Sequence, residues 1–145
     1  MIKIFKDGEW VDGVPVGGDK IRKYDSAGGY VECIYYTEDV PTPNKIVITS
    51  HSKRALVDVG GTTDVIVEFQ DSDGNVLPIN DSFAVPVGRV GGANYKTIKM
   101  TFTGGVCNKS ITWPDAGEFE ITGDMVNMHL EDKLDFDGFN ISVME

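Results

Sequence analysis

The segment from Trp113 to Ile121 constrains the fold of this chain more than any other. It reads Trp-Pro-Asp-Ala-Gly-Glu-Phe-Glu-Ile, so an Asp-x-Gly turn leads into alternating apolar and acidic residues. A period of two is the pattern of a β-strand with one face in a core and the other in water. We therefore predict that Phe119 and Ile121 point into the core of a β-protein.

The same alternation recurs twice upstream, where apolar residues alternate with polar or charged ones over 64–70 and 97–102. The chain also has 17 glycines among its 145 residues, above the usual share of about 7%. Such an excess is typical of tight turns between short strands. The predicted core of this all-β fold consists of apolar side chains from three segments: Val65, Val67, Phe69, Ile98, Met100, Phe102, Phe119 and Ile121.

One short helix is expected after the strand that ends at Ile121. Thr122 or Asp124 is a suitable N-cap, and Met125 and Met128 follow at helical spacing. We expect this helix to end near Leu130, before a last strand.

The chain divides near residue 42, where Pro41-Thr42-Pro43 interrupts the strand pattern. Residues 1–42 contain two hairpin patterns, one of them around Asp7-Gly8, and are predicted to form an N-terminal hairpin arm. Residues 43–145 are predicted to form the main domain. An arm of this size is too small for a stable core of its own, so it must lean on the main domain, another subunit or another protein.

The net charge of −10 opposes binding to a phosphate backbone or to anionic lipid, so neither nucleic acid nor a membrane is an expected partner. The N-terminus lacks the apolar region of a secretory signal. We expect folding in a reducing cytoplasm, with Cys33 and Cys107 as reduced core residues, although a disulfide between them stays open.

Aromatic residues concentrate in the predicted arm. Trp10, Tyr24, Tyr30 and Tyr36 are the candidate interface residues, because aromatic side chains dominate the binding energy of many protein interfaces and also stack on sugar rings. The competing interpretation is that these rings are simply packed within the protein.

Other polar residues have simpler interpretations. Asp71 and Asp73 resemble the start of a calcium loop, but Val76 and Ser82 stand where an EF-hand needs Gly and Glu, so a turn is favoured and no metal is predicted.

Catalytic patterns are equally weak. His51 lies between two serines on a segment expected to be extended, where neighbours point to opposite faces, and His129 has no nucleophile pattern. The acidic residues Glu131, Asp132, Asp135 and Asp137 match a solvated loop as well as a hydrolase pair. We predict no enzymatic activity and no cofactor.

Two segments resemble immunoglobulin-like domains. The spacing of Asp115, Gly117, Phe119 and Ile121 resembles their turn-into-strand signature, with an aromatic corner two residues before a core position. The segment 65–78 is similar to bacterial immunoglobulin-like repeats of the invasin type. The resemblance implies an antiparallel immunoglobulin-like β-sandwich over 43–145. Phenylalanine has no hydroxyl, so the corner's hydrogen bond is not expected.

The opening segment from Ile4 to Trp10 resembles short openings of head-decoration and tail-fibre proteins of tailed bacteriophages. This resemblance implies a non-enzymatic virion protein, assembled in the host bacterial cytoplasm. It would decorate or cement the capsid, or form part of the tail, through contacts with capsid or tail proteins. It would be a homo-oligomer or be present in many copies. The alternative is a carbohydrate-binding module used in attachment to the host surface.

Overall fold

The computed structural model describes residues 2–130 and 133–145. Within these ranges the chain forms three β-sheets and one short helix. The elements are β1 (Ile2–Lys6), β2 (Glu9–Asp12), β3 (Lys20–Tyr24), β4 (Tyr30–Ile34), β5 (Lys45–Ile48), β6 (Arg54–Asp58), β7 (Thr62–Gln70), β8 (Asp81–Arg89), β9 (Asn94–Phe102), β10 (Val106–Thr112), β11 (Gly117–Ile121), α1 (Gly123–Asn127) and β12 (Phe139–Met144).

The first four strands form one antiparallel sheet in the order β2-β1-β3-β4, called the N-terminal sheet below. The β1–β2 hairpin turns at Asp7 and Gly8, whose φ angles of 52° and 82° are both positive, as a type I′ turn requires. The β3–β4 hairpin turns on Asp25, whose carboxylate accepts hydrogen bonds from the backbone N–H groups of Ala27 and Gly29. Because β1 also pairs with β3, the two predicted hairpins are joined in a single sheet.

One face of the N-terminal sheet buries two aliphatic side chains. Ile4 and Ile21 are 7% and 1% exposed and lie directly opposite each other on β1 and β3. The chain between β2 and β3 approaches this face so closely that a β-carbon on Gly13 would lie 3.0 Å from Cδ1 of Ile4. The sheet therefore has a small apolar cluster under this segment.

The remaining strands form two sheets around a shared core, β10-β7-β5 and β6-β12-β11-β8-β9. Immunoglobulin-like sandwiches place strands A, B and E in one sheet and C, F and G in the other. Strands β5, β7 and β10 occupy the places of A, B and E, while β8, β11 and β12 occupy those of C, F and G. The predicted all-β sandwich with one short helix is confirmed.

One strand pair is an exception to the expected antiparallel arrangement. β6 runs parallel to β12, with Arg54 opposite Asn140 and Asp58 opposite Met144. The preceding strand β5 pairs with β7 in the other sheet. Residues 49–53 carry the chain from one sheet to the other without a hairpin reversal, so β6 keeps the direction of β5 and meets β12 in parallel.

The core lies between the two sheets of the sandwich. All eight residues predicted for it are at most 7% exposed. Trp113 is also fully buried, and its indole Nε1 donates a hydrogen bond of 3.0 Å to Oγ1 of Thr63. The ring of Phe119 lies 5.2 Å from that of Trp113 and 4.3 Å from that of Tyr95, between ring centroids. Phe119, the aromatic residue that follows the Asp-x-Gly turn, thus fixes the start of β11 against the neighbouring strands.

The helix α1 is shorter than the sequence pattern predicted. Its N-cap is Thr122, whose hydroxyl accepts a hydrogen bond from the N–H of Met125. The helix ends at Asn127, where the sequence pattern favoured Leu130. The side chain of Asn127 binds the backbone of Leu134 in both directions, donating to its carbonyl and accepting from its N–H. These two hydrogen bonds end the helix at Asn127 and direct the chain back toward β12.

The N-terminal sheet meets the sandwich where Ile34 packs on the core and at a joint formed by Gly18, Lys20, Pro78, Asn80 and Asp81. Gly18 has a φ of +94°, and a β-carbon there would lie 2.0 Å from the carbonyl oxygen of Pro78. The N–H of Asn80 donates to the carbonyl of Gly18 at 2.8 Å. Nζ of Lys20 lies 2.9 Å from Oδ1 of Asp81, and both side chains are largely buried. Because the backbones of Gly18 and Pro78 touch, a glycine is required at position 18.

Candidate binding surface of the N-terminal sheet

One face of the N-terminal sheet carries four aromatic rings and one guanidinium. We call it the aromatic face, and its members are Phe5, Trp10, Arg22, Tyr24 and Tyr30. Phe5 pairs with Trp10 across β1 and β2, and Tyr24 pairs with Tyr30 across β3 and β4. Cross-strand partners share a face of a sheet, and alternation along β3 puts Arg22 on the face of Tyr24.

Arg22 occupies the centre of the aromatic face. Its guanidinium carbon lies 4.1 Å from the ring centroid of Trp10 and 4.3 Å from that of Tyr30. Its Nε donates a hydrogen bond of 2.7 Å to Oε1 of Glu32. Each cation–π contact at an exposed site contributes about 0.5–1 kcal/mol. The arginine therefore connects β2 and β4, which are not neighbours in the sheet.

The rings of Trp10 and Tyr30, which contact Arg22, each also contact a second aromatic ring. The centroids of Phe5 and Trp10 are 5.3 Å apart, and those of Tyr24 and Tyr30 are 5.2 Å apart, both in tilted arrangements. Tyr30 is 49% exposed, and the other three aromatic residues are half-buried. The row of side chains is therefore held in place by contacts within the chain while remaining accessible.

Charges beside the aromatic face are balanced. Nζ of Lys3 lies 3.1 Å from Oδ1 of Asp12, and Arg22 pairs with Glu32. Two cations thus face two anions in a chain whose net charge is −10. The face does not share the strong negative charge of the chain.

Three of the four predicted interface residues, Trp10, Tyr24 and Tyr30, come together on the aromatic face. Tyr36 does not join them, because β4 ends at Ile34 and the chain then packs Tyr36 against the sandwich core. Sequence reasoning missed Phe5 and Arg22. The signal for Phe5 was present, since a two-residue turn at Asp7-Gly8 places it opposite Trp10. The position of Arg22 depends on the long-range pairing of β1 with β3.

Two recesses flank the joint. The larger has a volume of about 450 Å³ and lies between the β1–β2 turn, the exposed Val14 and Val16, and the end of β9. The smaller, of about 120 Å³, has apolar walls from both parts of the chain. Its polar lining residues include Lys20, Glu32, Asp81 and His129. Lys20 and Asp81 neutralise each other there, so the cavity offers no unpaired ion from the joint.

The turn at Asp71 uses its carboxylate internally. Oδ1 accepts backbone hydrogen bonds from Asp73 and Asn75, each of 2.9 Å, and Oδ2 accepts one from the side-chain amide of Asn75. Hydrogen bonding to the backbone of Asn75 is the main cause that lowers the pKa of Asp71 below its ordinary value. Within the described ranges, no three potential metal-ligand side chains cluster. The geometry is that of the turn favoured by the sequence.

Contrary to the expectation from the sequence, Ser50 and His51 do not lie on an extended segment. Residues 50–53 form a bend where an extended segment was expected, and Oγ of Ser50 lies 2.9 Å from Nδ1 of His51. The same Oγ accepts a hydrogen bond from the backbone N–H of Ile66. The pair therefore ties this bend to β7.

Among the described residues, the candidate carboxylates Asp135 and Asp137 share no site with His129. Glu131 and Asp132 lie outside the described residues. Asp135 and Asp137 are exposed, and the backbone of Asp135 is bound to the start of β5. His129 lines the smaller cavity beside the joint.

The two cysteines are both free thiols. Cys107 is 1% exposed in the sandwich core, and burial raises the pKa of its thiol. Cys33 is half-buried on β4, outside the sandwich core where the sequence analysis expected it. The two residues lie in different sheets.

The chain matches no protein-family model, and no curated protein matches it at a significant level. In the ranges 2–130 and 133–145, no helix combines the length and apolar character needed to cross a membrane. Any assignment of function therefore depends on the residues and their geometry.

Proposed function

We propose that this chain is a non-enzymatic structural protein of a tailed-phage particle, which attaches to another protein of the particle through the aromatic face. The sandwich then serves as the body that is displayed or cemented in place. The N-terminal sheet, held by the joint, presents the binding surface.

The observation that carries this proposal is the composition of the aromatic face. Tryptophan, tyrosine and arginine are the residue types most enriched among interface hot spots, and Trp10, Arg22 and Tyr30 form one contiguous row. Because these side chains already contact one another, little conformational entropy is lost when a partner binds. The balanced charges beside the row also lower electrostatic repulsion from other acidic proteins.

The arrangement of the rings favours a protein partner over a sugar. A sugar-binding platform needs an open ring face, yet Trp10 contacts both Arg22 and Phe5, and Tyr30 contacts both Arg22 and Tyr24. A sugar ring would have to displace the guanidinium or a neighbouring ring. A protein surface can instead cover the whole row and exclude water from it.

Support for the phage context comes from the sequence resemblance of the opening strand and turn, at Ile4 to Trp10. In the structure these residues form the second half of β1, the β1–β2 turn and the start of β2. The segment that resembles decoration and tail-fibre openings therefore supplies two members of the aromatic face.

The experiment is co-sedimentation of purified chain with phage particles that lack it. Trp10→Ala and Tyr30→Ala remove the two rings that flank the guanidinium, and loss of a hot-spot side chain costs about 2 kcal/mol or more. We expect each variant to bind at least about 30-fold more weakly than the unmodified chain. Val14→Ala is the matched control, since Val14 is 89% exposed but lies outside the aromatic face.

Equal binding by all three variants would contradict the proposal. A glycan-array screen of the same proteins separates the alternative, because a carbohydrate-binding module would give a glycan signal that Trp10→Ala abolishes. Glycan binding together with no binding to particles would replace the proposed function by host-surface attachment.

A further inference from the structure

We infer that two copies of this chain associate through the free edge of β4, extending the N-terminal sheet across a two-fold axis at Val31. The inference does not rest on the proposed function, because it is argued from the backbone groups of β4 and from Val31, which lies on the sheet face opposite the aromatic face; its register also includes Tyr30 of the aromatic face. It identifies the partner as a second copy of the chain and specifies the register of the contact.

The hydrogen bonds of the β3–β4 hairpin show which backbone groups of β4 are free. Asp25 donates to Gly29, and Tyr35 donates to Asp19. Hydrogen-bonded pairs alternate with non-hydrogen-bonded pairs along antiparallel strands. These two bonds therefore show which residues of β4 form hydrogen-bonded pairs with β3. The odd-numbered residues of β4 therefore bond to β3. The N–H and C=O groups of Tyr30 and Glu32 point away from the sheet.

Only one two-fold symmetric register pairs the free backbone groups of Tyr30 and Glu32 without an unfavourable contact. A two-fold axis at Glu32 would place two carboxylates directly opposite each other, which is destabilising. An axis at Tyr30 would draw the 25–29 turn into the pairing, and an axis at Cys33 would involve Ile34, which packs on the sandwich. An axis at Val31 pairs Tyr30 with Glu32 of the second copy, and Glu32 with Tyr30 of the second copy.

The side chains fit this register on both faces. Val31 is 64% exposed and would pack against Val31 of the second copy in a non-hydrogen-bonded pair, where side chains are closest. Tyr30 would lie opposite a carboxylate, which can accept a hydrogen bond from its hydroxyl. The two pairs of Tyr30 and Glu32 exchange four backbone hydrogen bonds.

β4 also lacks the usual protection of an edge strand. Sheet edges commonly carry charges that discourage pairing, and other edges in this chain do so: Glu9 and Asp12 on β2, Arg54 and Asp58 on β6, Lys96 and Lys99 on β9. The one charge on β4 is Glu32, and its carboxylate is already bound by Arg22 at 2.7 Å and lies 3.9 Å from Nζ of Lys20. The exposed pair Tyr30-Val31 is thus left open to another strand.

The first test is sedimentation velocity of the full chain over a range of concentrations. The unmodified chain should form dimers as concentration rises. Val31→Lys and Val31→Glu should each stay monomeric, because like charges then meet on the axis, and an equimolar mixture of the two should restore the dimer. Val14→Lys is the matched control and should dimerise normally.

Disulfide trapping checks the register independently. In a non-hydrogen-bonded pair the Cα atoms are about 4.5 Å apart, within the range of a disulfide. In a Cys33→Ser background, Val31→Cys should oxidise to a covalent dimer, whereas Val11→Cys, on the opposite edge strand, should not. A monomeric unmodified chain, undiminished dimerisation of Val31→Lys, or equal trapping at both positions would overturn the inference.

Discussion

Replacement of Gly18 by alanine should release the N-terminal sheet from the sandwich. A β-carbon at this position would lie 2.0 Å from the carbonyl oxygen of Pro78 and 3.3 Å from Cα of Ile79. Both contacts are with backbone, which cannot rotate away as a side chain can. The two segments must therefore separate, and the hydrogen bond from Asn80 to Gly18 is lost.

The size of the effect follows from a comparison with Gly28→Ala. Gly28 has a similar φ of +86°, but a β-carbon there meets no atom within 4 Å. Both variants incur the left-handed backbone penalty of about 1–2 kcal/mol. Gly18→Ala in addition loses a hydrogen bond worth about 1 kcal/mol and strains the Lys20–Asp81 pair, worth about 1 kcal/mol. The excess destabilisation of the N-terminal sheet should be about 2 kcal/mol.

The assay uses the two tryptophans, one in each part of the chain. With Trp113→Phe as background, fluorescence during urea unfolding reports Trp10 in the N-terminal sheet; with Trp10→Phe, it reports the sandwich core. Gly18→Ala should lower the urea midpoint followed by Trp10 well below that of Gly28→Ala. The midpoint followed by Trp113 should move much less. Equal Trp10 midpoints for the two glycine variants would refute the description of the joint.

Three further predictions concern the sandwich and the thiols. Phe119→Ala should reduce the free energy of unfolding by about 3–5 kcal/mol, as expected for an aromatic residue removed from a core; a loss under about 1 kcal/mol in urea unfolding would contradict its burial. Under native conditions a thiol reagent should label Cys33 and leave Cys107 unmodified, since burial both shields Cys107 and raises its pKa; mass spectrometry would reveal labelling of Cys107 as the contrary result. Hydrogen bonding from the Asn75 backbone lowers the pKa of the Asp71 carboxylate in the folded chain. The ionised carboxylate therefore stabilises the fold at pH values above the ordinary carboxyl pKa. This stabilisation is lost as pH falls through the pKa that Asp71 has in the folded chain. Asp71→Asn should therefore be less stable than the unmodified chain near pH 7, and this difference should shrink as pH falls below the ordinary carboxyl pKa; a stability difference that does not change with pH would refute this assignment.

The sandwich could be predicted because its signals are local. Period-two alternation identifies Val67, Met100 and Phe119 as buried without knowledge of their partners. The Asp-x-Gly turn before Phe119 adds the direction from which the strand is entered. Trp113 was not identified as a core residue, although it begins the same motif. It continues the alternation of Ile111 and Thr112 just beyond the end of β10, but Lys109 interrupts the apolar pattern of that face.

The path of the chain between β5 and β6 could not be predicted in the same way. Whether Arg54–Asp58 pairs with β7 or β12 depends on contacts with residues more than 80 positions away, which leave no local pattern. The bend at Ser50 and His51, which carries the chain between the sheets, was mistaken for an extended segment for the same reason.

The candidate binding surface was predictable in part. Trp10, Tyr24 and Tyr30 were identified by residue type. Their assembly around Arg22 requires the β1–β3 pairing, which brings two separate hairpins into one sheet. The failure at Tyr36 has a physical cause, because β4 ends at Ile34 and the next residues contribute to packing on the sandwich.

The most direct test of the proposed attachment is hydroxyl-radical footprinting of the chain, both free and within purified particles of the tailed phage to which we propose that it belongs. Mass spectrometry then gives the oxidation rate of each aromatic and methionine residue. We expect Trp10 and Tyr30 to be protected in the particle, while Met128, which is 58% exposed on the sandwich, remains reactive. Absence of the chain from the particles, or unchanged oxidation of Trp10 and Tyr30, would contradict the proposed attachment.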